Sequence, residues 1–190
     1  MNAIKKYSTI YLFVFFWGML TFSSCSNSTT SPPPPAPTND PISATDLTAR
    51  LSPHFIQNPT TQPEKDQNAM VGYAIDQNIN VSRTASGMYY QILQEGTGTT
   101  PTGNSKVEVN YEGKLLDGTV FDSSYKKGRP IEFRVPQVIR GWQEALQLLK
   151  PGGKGTFLIP SRLAYGADGF GHDIPPHSPL RFEIELLAVE

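Results

Sequence analysis

The C-terminal half of the sequence predicts an α+β fold, in which several antiparallel strands accompany one short helix. Apolar and polar residues alternate over 107–111, which is typical of a half-buried strand. Asp117-Gly118 separates two β-rich runs and predicts a hairpin turn. The apolar period then lengthens over 142–149, which indicates a helix.

The remaining elements of this region follow in order. Glycines and a proline between 96 and 103 predict a loop after the first β-rich segment. The helix over 142–149 is expected to end at Pro151-Gly152-Gly153, because proline cannot continue it and glycine suits the left-handed position at helix ends. The other strands, predicted from β-rich or alternating sequence, cover 88–93, 131–135, 156–159 and 180–186.

The N-terminus has the composition of an export signal. Lys5-Lys6 precedes an apolar run over 10–20, which is too short to span a bilayer but suits a signal peptide. Cys25 is the one cysteine of the chain, and the residues before it resemble the lipobox of bacterial lipoproteins, although Phe22 stands where leucine is usual. The sequence predicts a signal peptide over 1–24 and lipidation of Cys25; an ordinary secretory signal with an incidental cysteine is the alternative.

A tether and a helix are predicted between the signal and the β-rich region. Residues 26–43 have almost no apolar side chains besides proline, so they should form an extended tether. Low order is expected over 44–63 as well, because Pro53 and Pro59 interrupt a weak amphipathic pattern. Helical spacing of apolar residues predicts a helix over 64–79. The predicted organisation is a flexible tether over 25–63, a helical lead-in over 64–82 and a folded domain over 83–190.

Composition and motifs argue against several classes of function. The chain has 16 basic and 17 acidic residues, and no dense basic patch indicates a nucleic-acid partner. The histidines, His54, His172 and His177, are scattered and the cysteine is expected to be acylated, so no metal site is predicted. The sequence contains neither a Gly-x-Ser-x-Gly element nor a phosphate-binding loop at the start of a helix, and it predicts no cofactor.

Four segments resemble, in order and spacing, the signatures of the FK506-binding (FKBP) family of peptidyl-prolyl cis-trans isomerases. These segments are Val109–Gly113 with Asp117–Ser124, Val138–Leu146, Leu163–Gly166 with Ile174–His177, and Leu180–Leu187. Together with the N-terminal signal they resemble the bacterial lipoprotein form of the family. The resemblance implies a twisted antiparallel β-sheet wrapped around one short α-helix, with the active pocket between them.

The same resemblance assigns the pocket residues. Trp142 is expected to form the floor under the substrate proline ring, and Tyr165 to offer its hydroxyl to a substrate carbonyl. Asp122 is expected at the rim, with a turn role as the alternative; for Phe133 and Phe182 the alternative is plain core packing. Catalytic roles are predicted for Tyr111, Phe121, Asp122, Tyr165 and Phe182. Substrate-binding roles are predicted for Ile131, Phe133, Val138, Ile139, Trp142 and Ile174.

The activity implied is rotation about X–Pro bonds in proline-containing exported polypeptides, with FK506-like macrolides as candidate inhibitors. The complete pocket set favours catalysis over a non-catalytic proline-segment binding module, an envelope chaperone, or a structural surface lipoprotein. The lipid anchor implies attachment to the bacterial cell envelope, and Ser26 favours the outer membrane, facing the periplasm in a Gram-negative cell. Ile131, where the family often has an aromatic residue, and the loop around Phe170 leave substrate preference and macrolide affinity open.

Overall fold

The computed structural model describes residues 42–190. The predicted signal peptide, the lipidation at Cys25 and the proline-rich segment up to residue 41 lie outside the described residues. From residue 42 onward, no helix is long and apolar enough to cross a membrane.

Four α-helices and seven strands follow one another along residues 42–190. They are α1 Ala44–Leu51, α2 Gln62–Asp76, β1 Ser82–Arg83, β2 Tyr89–Gln94, β3 Lys106–Leu115, β4 Val120–Ser123, α3 Ser124–Lys127, β5 Ile131–Arg134, α4 Arg140–Leu146, β6 Lys154–Ile159 and β7 Leu180–Val189. Short 3-10 turns lie at Ser52–His54, Val135–Gln137 and Ser161–Leu163.

The strands form one antiparallel sheet in the order β1-β2-β6-β7-β3-β4, and β5 also pairs with β3. The long strands β3 and β7 pair with each other, with Tyr111 opposite Ile184 and Gly113 opposite Phe182. Helix α4 buries Trp142, Ala145 and Leu146 in the main core of the sheet. The predicted α+β fold is confirmed.

The hairpin and the end of α4 show how local sequence sets the connections. Gly118 has φ +94° and its amide donates to Leu115 O at 3.0 Å, so the predicted Asp-Gly turn is present. Helix α4 ends at Leu146, three residues before the predicted end. The amides of Leu148 and Leu149 bond only three residues back, so the chain continues as tight turns.

The low order expected over 44–63 is wrong for the first half of that segment, which contains α1. The hydroxyl of Ser43 accepts a hydrogen bond from the amide of Asp46 at 3.1 Å and caps the helix. Leu47 and Leu51, four residues apart, point to one side and are buried. Pro53 does not break this helix, because it lies in the first turn of the following 3-10 segment, where its missing N–H is tolerated.

A second core joins α1 and α2 to the sheet. Successive residues of β6 alternate between faces: Phe157 and Ile159 belong to the main core and Leu158 to the second one. Leu158 packs there with buried side chains of both helices, of the segment before β1 and of β2: Leu47, Leu51, Met70, Val71, Ala74, Val81 and Tyr89. The helical segment is therefore part of the folded body.

The sequence predicted a helix over 64–79. Helix α2 begins two residues before the predicted start and ends three residues before the predicted end. Thr61 and Glu64 form a capping box, and the amide of Thr61 donates to Glu64 Oε2 at 2.8 Å. The backbone amides of Thr61 and Thr60 lower the pKa of Glu64 to about 2. Beyond Asp76, Asn78 takes φ +51°, which stops the helix.

Leu47→Ala is expected to lower the free energy of unfolding by about 2–5 kcal/mol, because it opens a cavity in the second core where Leu47 is 0% exposed. Urea unfolding of the full-length chain measures the change. Leu93→Ala is the control, since Leu93 is 42% exposed and its loss should cost less than about 0.5 kcal/mol. Equal effects of the two substitutions would contradict a structural role for α1.

Candidate active site

A cleft of about 280 Å³ lies between the β3–β4 hairpin, β5, the start of α4 and the loop after β6. Aromatic and aliphatic side chains form most of its surface. The lining residues are Tyr111, Phe121, Asp122, Ile131, Gln137, Val138, Ile139, Trp142, Tyr165 and Phe182. An apolar cleft with a few polar groups is typical of a small-ligand site.

Trp142 lies at the centre of this aromatic cluster and is only 4% exposed. Its ring meets Tyr111 edge-on at 5.1 Å and Phe182 edge-on at 5.2 Å between centroids. Such edge-to-face pairs are favourable because the positive ring edge faces the negative ring face. Gly141 lets α4 start close to β6, since a Cβ there would lie 2.3 Å from Ile159 Cγ2. These contacts fix the indole as a rigid floor.

Phe121 and Phe182 form a second edge-to-face pair, with centroids 5.5 Å apart. Gly113 of β3 leaves the room for both rings. A Cβ at Gly113 would lie 2.6 Å from Phe121 Cζ and 2.8 Å from Phe182 Cε1. The wall of the cleft therefore depends on glycine at this strand position.

Among residues 42–190, Asp122 is the one carboxyl group that lines the cleft, and its two oxygens have separate partners. The Tyr111 hydroxyl donates to Oδ2 at 2.5 Å. Lys127 Nζ lies 2.5 Å from Oδ1, which also accepts from the Ser123 amide at 2.8 Å. Helix α3 places Lys127 here, capped by Ser123 and ended by Gly128 at φ +71°. This short helix was not predicted from the sequence, because four residues carry no periodic signal.

Burial works to raise the pKa of Asp122, but hydrogen bonds from Lys127 and Tyr111 and the Lys127 charge outweigh it, so the pKa is lowered overall. Burial, with the hydrogen bond to Asp122, raises the pKa of Tyr111 well above its ordinary value. The cleft thus holds an ionised carboxylate beside a neutral phenol at neutral pH.

Tyr165 presents its ring to the cleft from the loop after β6. The ring stacks on Phe170 with centroids 4.8 Å apart and planes 25° apart. Burial, and secondly the charge of Asp122, raise the pKa of Tyr165. Its hydroxyl bonds to no other residue of the described part of the chain, so it is available to a ligand.

The structure brings together all the predicted site residues except Phe133 and Ile174. Phe133 does not line the cleft but packs against Trp142, with ring centroids 5.6 Å apart, and Ile174 is buried in the main core and bridges to Phe170. Sequence reasoning missed Gln137, which lines the cleft from the 3-10 turn. Its position directly before the Val138 segment was the available signal. The catalytic and binding roles of these residues stay predictions.

Activity carried by this cleft should be independent of pH between about 5 and 9. None of the described histidines lines it, the pKa of Asp122 is lowered because hydrogen bonds from Lys127 and Tyr111 outweigh its burial, and burial raises the pKa of Tyr165. Because the folded pKa of Asp122 is depressed, its stabilising contribution is present above its unfolded pKa and is lost as pH falls through the folded value. A pH profile of kcat/KM with an uncharged peptide checks the predicted independence of activity from pH. A change in kcat/KM with a midpoint near pH 6.5 would contradict the prediction.

Comparison with known proteins places this cleft in a family. Residues 97–187 match the model of the FKBP-type peptidyl-prolyl cis-trans isomerase. The chain is 48% identical over 110 residues to the peptidyl-prolyl cis-trans isomerase Mip of Coxiella burnetii, covering 58% of this chain and 48% of that protein. It is 50% identical over 109 residues to the FKBP-type 22 kDa peptidyl-prolyl cis-trans isomerase of Escherichia coli, covering 57% and 53%.

A solved structure resembles a larger part of the chain. The crystal structure of a peptidyl-prolyl cis-trans isomerase from Pseudomonas syringae pv. tomato matches with a TM-score of 0.61 and 41% identity. The match covers 71% of this chain and 98% of that one. By contrast, the chain spans about half the length of the curated relatives it matches.

Proposed function

Since this chain belongs to the FKBP-type peptidyl-prolyl cis-trans isomerase family, we propose that it accelerates rotation about X–Pro peptide bonds. The observation that carries the proposal is the aromatic cleft with Trp142 as its floor and the Asp122 carboxylate at its edge. A proline ring is apolar and compact, and a cleft of about 280 Å³ is large enough to hold one.

The chemistry needs no nucleophile. Amide resonance sets a barrier of about 20 kcal/mol to rotation about the C–N bond. The planar amide is more charge-separated than the twisted one, so an apolar cleft that excludes water favours the twisted form. A rate increase of about 10⁵ requires about 7 kcal/mol of such differential stabilisation.

Two polar groups complete the mechanism. The Tyr165 hydroxyl donates to a substrate carbonyl and orients the peptide over Trp142. The Asp122 carboxylate, held by Tyr111 and Lys127, provides a fixed negative charge beside the rotating bond. Because both oxygens of Asp122 are already bonded, the charge does not reorganise during the reaction.

A protease-coupled assay on the full-length chain with a short X–Pro peptide tests this proposal. We expect fast turnover, reduced roughly 10- to 100-fold by Asp122→Ala, since the fixed charge is lost. Asp76→Ala removes an exposed carboxylate at the end of α2, outside the cleft, and should leave the rate unchanged. A folded wild-type chain without turnover would refute the proposal and favour a proline-segment binding module.

For its cellular role, the proposal is an anchored folding catalyst of the bacterial cell envelope, acting on proline-containing exported polypeptides. The lipobox-like sequence at Cys25 and the export signal before it support this location. Uncatalysed X–Pro isomerisation takes tens of seconds, long enough to delay folding outside the cytoplasm. Macrolides of the FK506 class are proposed inhibitors, because they would compete for the same cleft.

Cys25→Ser is expected to abolish lipid attachment and move the protein from the membrane to the soluble envelope fraction. Removing the thiol leaves no group to acylate, and stable anchoring depends on acyl chains. Metabolic labelling with a radioactive fatty acid and cell fractionation measure both effects. Thr29→Ser, in the same segment, is the control. If the Cys25→Ser protein incorporated as much fatty-acid label as the wild type, the proposed lipid anchor at Cys25 would be wrong.

A further inference from the structure

Asp66 lies on α2 and is only 1% exposed. Its Oδ2 accepts hydrogen bonds from the backbone amide and the hydroxyl of Ser161, at 2.7 and 2.6 Å. Its Oδ1 accepts one from Gln62 Nε2 at 2.6 Å. Buried carboxyl groups are costly unless they are hydrogen-bonded, so these contacts fix α2 against the residue that follows Pro160.

Ser161 begins the turn that presents Tyr165 to the cleft. The carbonyl oxygen of Ser161 accepts hydrogen bonds from the amides of Ala164 at 2.9 Å and Gly166 at 2.8 Å. These two residues flank Tyr165 in the chain. A displacement of Ser161 therefore moves the backbone on both sides of Tyr165.

Helix α2 also contacts the other end of the loop that runs from Ser161 to His177. Gln62 Nε2, which donates to Asp66, also lies 3.4 Å from the carbonyl oxygen of His177. The His177 amide donates to Gly166 O at 2.8 Å and closes the loop. Between these ends the loop carries Tyr165 and Phe170, whose rings stack. Helix α2 thus contacts both ends of the segment that forms one wall of the cleft.

We propose that Asp66 is a positioning residue for isomerisation, holding Tyr165 in place through Ser161. The inference rests on the proposed function and gives the helical segment before the β-rich domain a role in it. Asp66 hydrogen-bonds to none of the residues that line the cleft, so its influence passes through the Ser161 turn. The Tyr165 hydroxyl must meet a substrate carbonyl at hydrogen-bond distance, and small displacements of such a group reduce rates strongly.

The test uses the full-length chain and the peptide assay. Asp66→Ala is expected to lower kcat/KM of the folded protein roughly tenfold. Val71→Ala is the matched control, because Val71 is fully buried on the same helix and belongs to the second core, whereas Ser161 hydrogen-bonds to Asp66. Both variants are assayed at a temperature where circular dichroism shows them folded. A loss of activity equal in the two variants would overturn the proposal.

A double-mutant cycle with Tyr165→Phe separates positioning from a general structural effect. If Asp66 acts through Tyr165, Asp66→Ala should have little further effect once the Tyr165 hydroxyl is gone. If the reductions in kcat/KM caused by the two single substitutions multiply in the double variant, the proposal is overturned. Should Asp66→Ala fail to fold, Ser161→Ala takes its place in the same cycle, because it removes one of the two hydrogen bonds that Ser161 donates to Asp66.

A second readout does not depend on activity. The ring stack of Tyr165 on Phe170 gives ring-current shifts in the aromatic NMR spectrum. We expect these shifts to change in Asp66→Ala and to persist in Val71→Ala. Wild-type ring shifts in a folded Asp66→Ala protein would overturn the proposal, even if the wild-type chain had no isomerase activity. Absence of wild-type activity by itself would count against the proposed function instead.

Discussion

Trp142→Ala is expected to abolish isomerisation and to lower the free energy of unfolding by about 3–5 kcal/mol. The substitution removes the floor of the cleft and the edge-to-face contacts with Tyr111 and Phe182. Total stability of a domain is about 5–15 kcal/mol, so the variant should remain largely folded at low temperature. Denaturant unfolding and the peptide assay measure the two effects separately.

The control for Trp142→Ala lies on the same helix. Leu146 is fully buried in the main core but does not line the cleft. Leu146→Ala should cost about 2–5 kcal/mol in stability while the folded molecules keep their activity. If Trp142→Ala retained wild-type kcat/KM, or if Leu146→Ala lost it equally, the role of Trp142 as the floor would be wrong.

Gly113→Ala is expected to reduce activity strongly and to destabilise the protein by about 1–3 kcal/mol. The added methyl group would lie under 3 Å from the rings of Phe121 and Phe182, so one or both of these cleft-lining rings must move. Loss of affinity for a proline peptide, measured by titration of tryptophan fluorescence, should accompany the loss of turnover.

Gly103→Ala provides the comparison, because a Cβ at Gly103 meets nothing within 4 Å and its backbone is not left-handed. This change should be neutral or stabilise by up to about 1 kcal/mol, since alanine restricts the unfolded chain. Wild-type activity in Gly113→Ala would show that the Phe121 and Phe182 rings can yield without affecting the cleft, and would contradict their role as its wall.

Much of the fold could be predicted because its signals are local. The Asp117-Gly118 turn, the alternating strands and the helix that carries Trp142 each depend on residues close in sequence. Helix α1 was missed because its stability comes from tertiary burial of Leu47 and Leu51 against the sheet, which overrides a weak helical pattern broken by prolines.

The residues of the site could likewise be predicted in part from the sequence, while other contacts of the site could not. The motif residues Tyr111, Asp122 and Tyr165 were predicted to share a pocket, and the structure brings them to one cleft. Phe133 and Ile174 were expected to line it, but they do not, and both pack with the main core instead. The contact between Asp66 and Ser161 joins residues 95 positions apart, and no periodicity or motif in the sequence indicates it.

Catalysis of X–Pro rotation in the aromatic cleft is tested most directly by magnetisation exchange between the cis and trans signals of a short X–Pro peptide. Without a catalyst, exchange takes tens to hundreds of seconds and gives no cross peaks on the NMR timescale. A substoichiometric amount of the full-length chain is predicted to produce cis–trans exchange cross peaks, which Trp142→Ala removes. Peptide binding by the folded wild-type chain without exchange cross peaks would contradict catalysis.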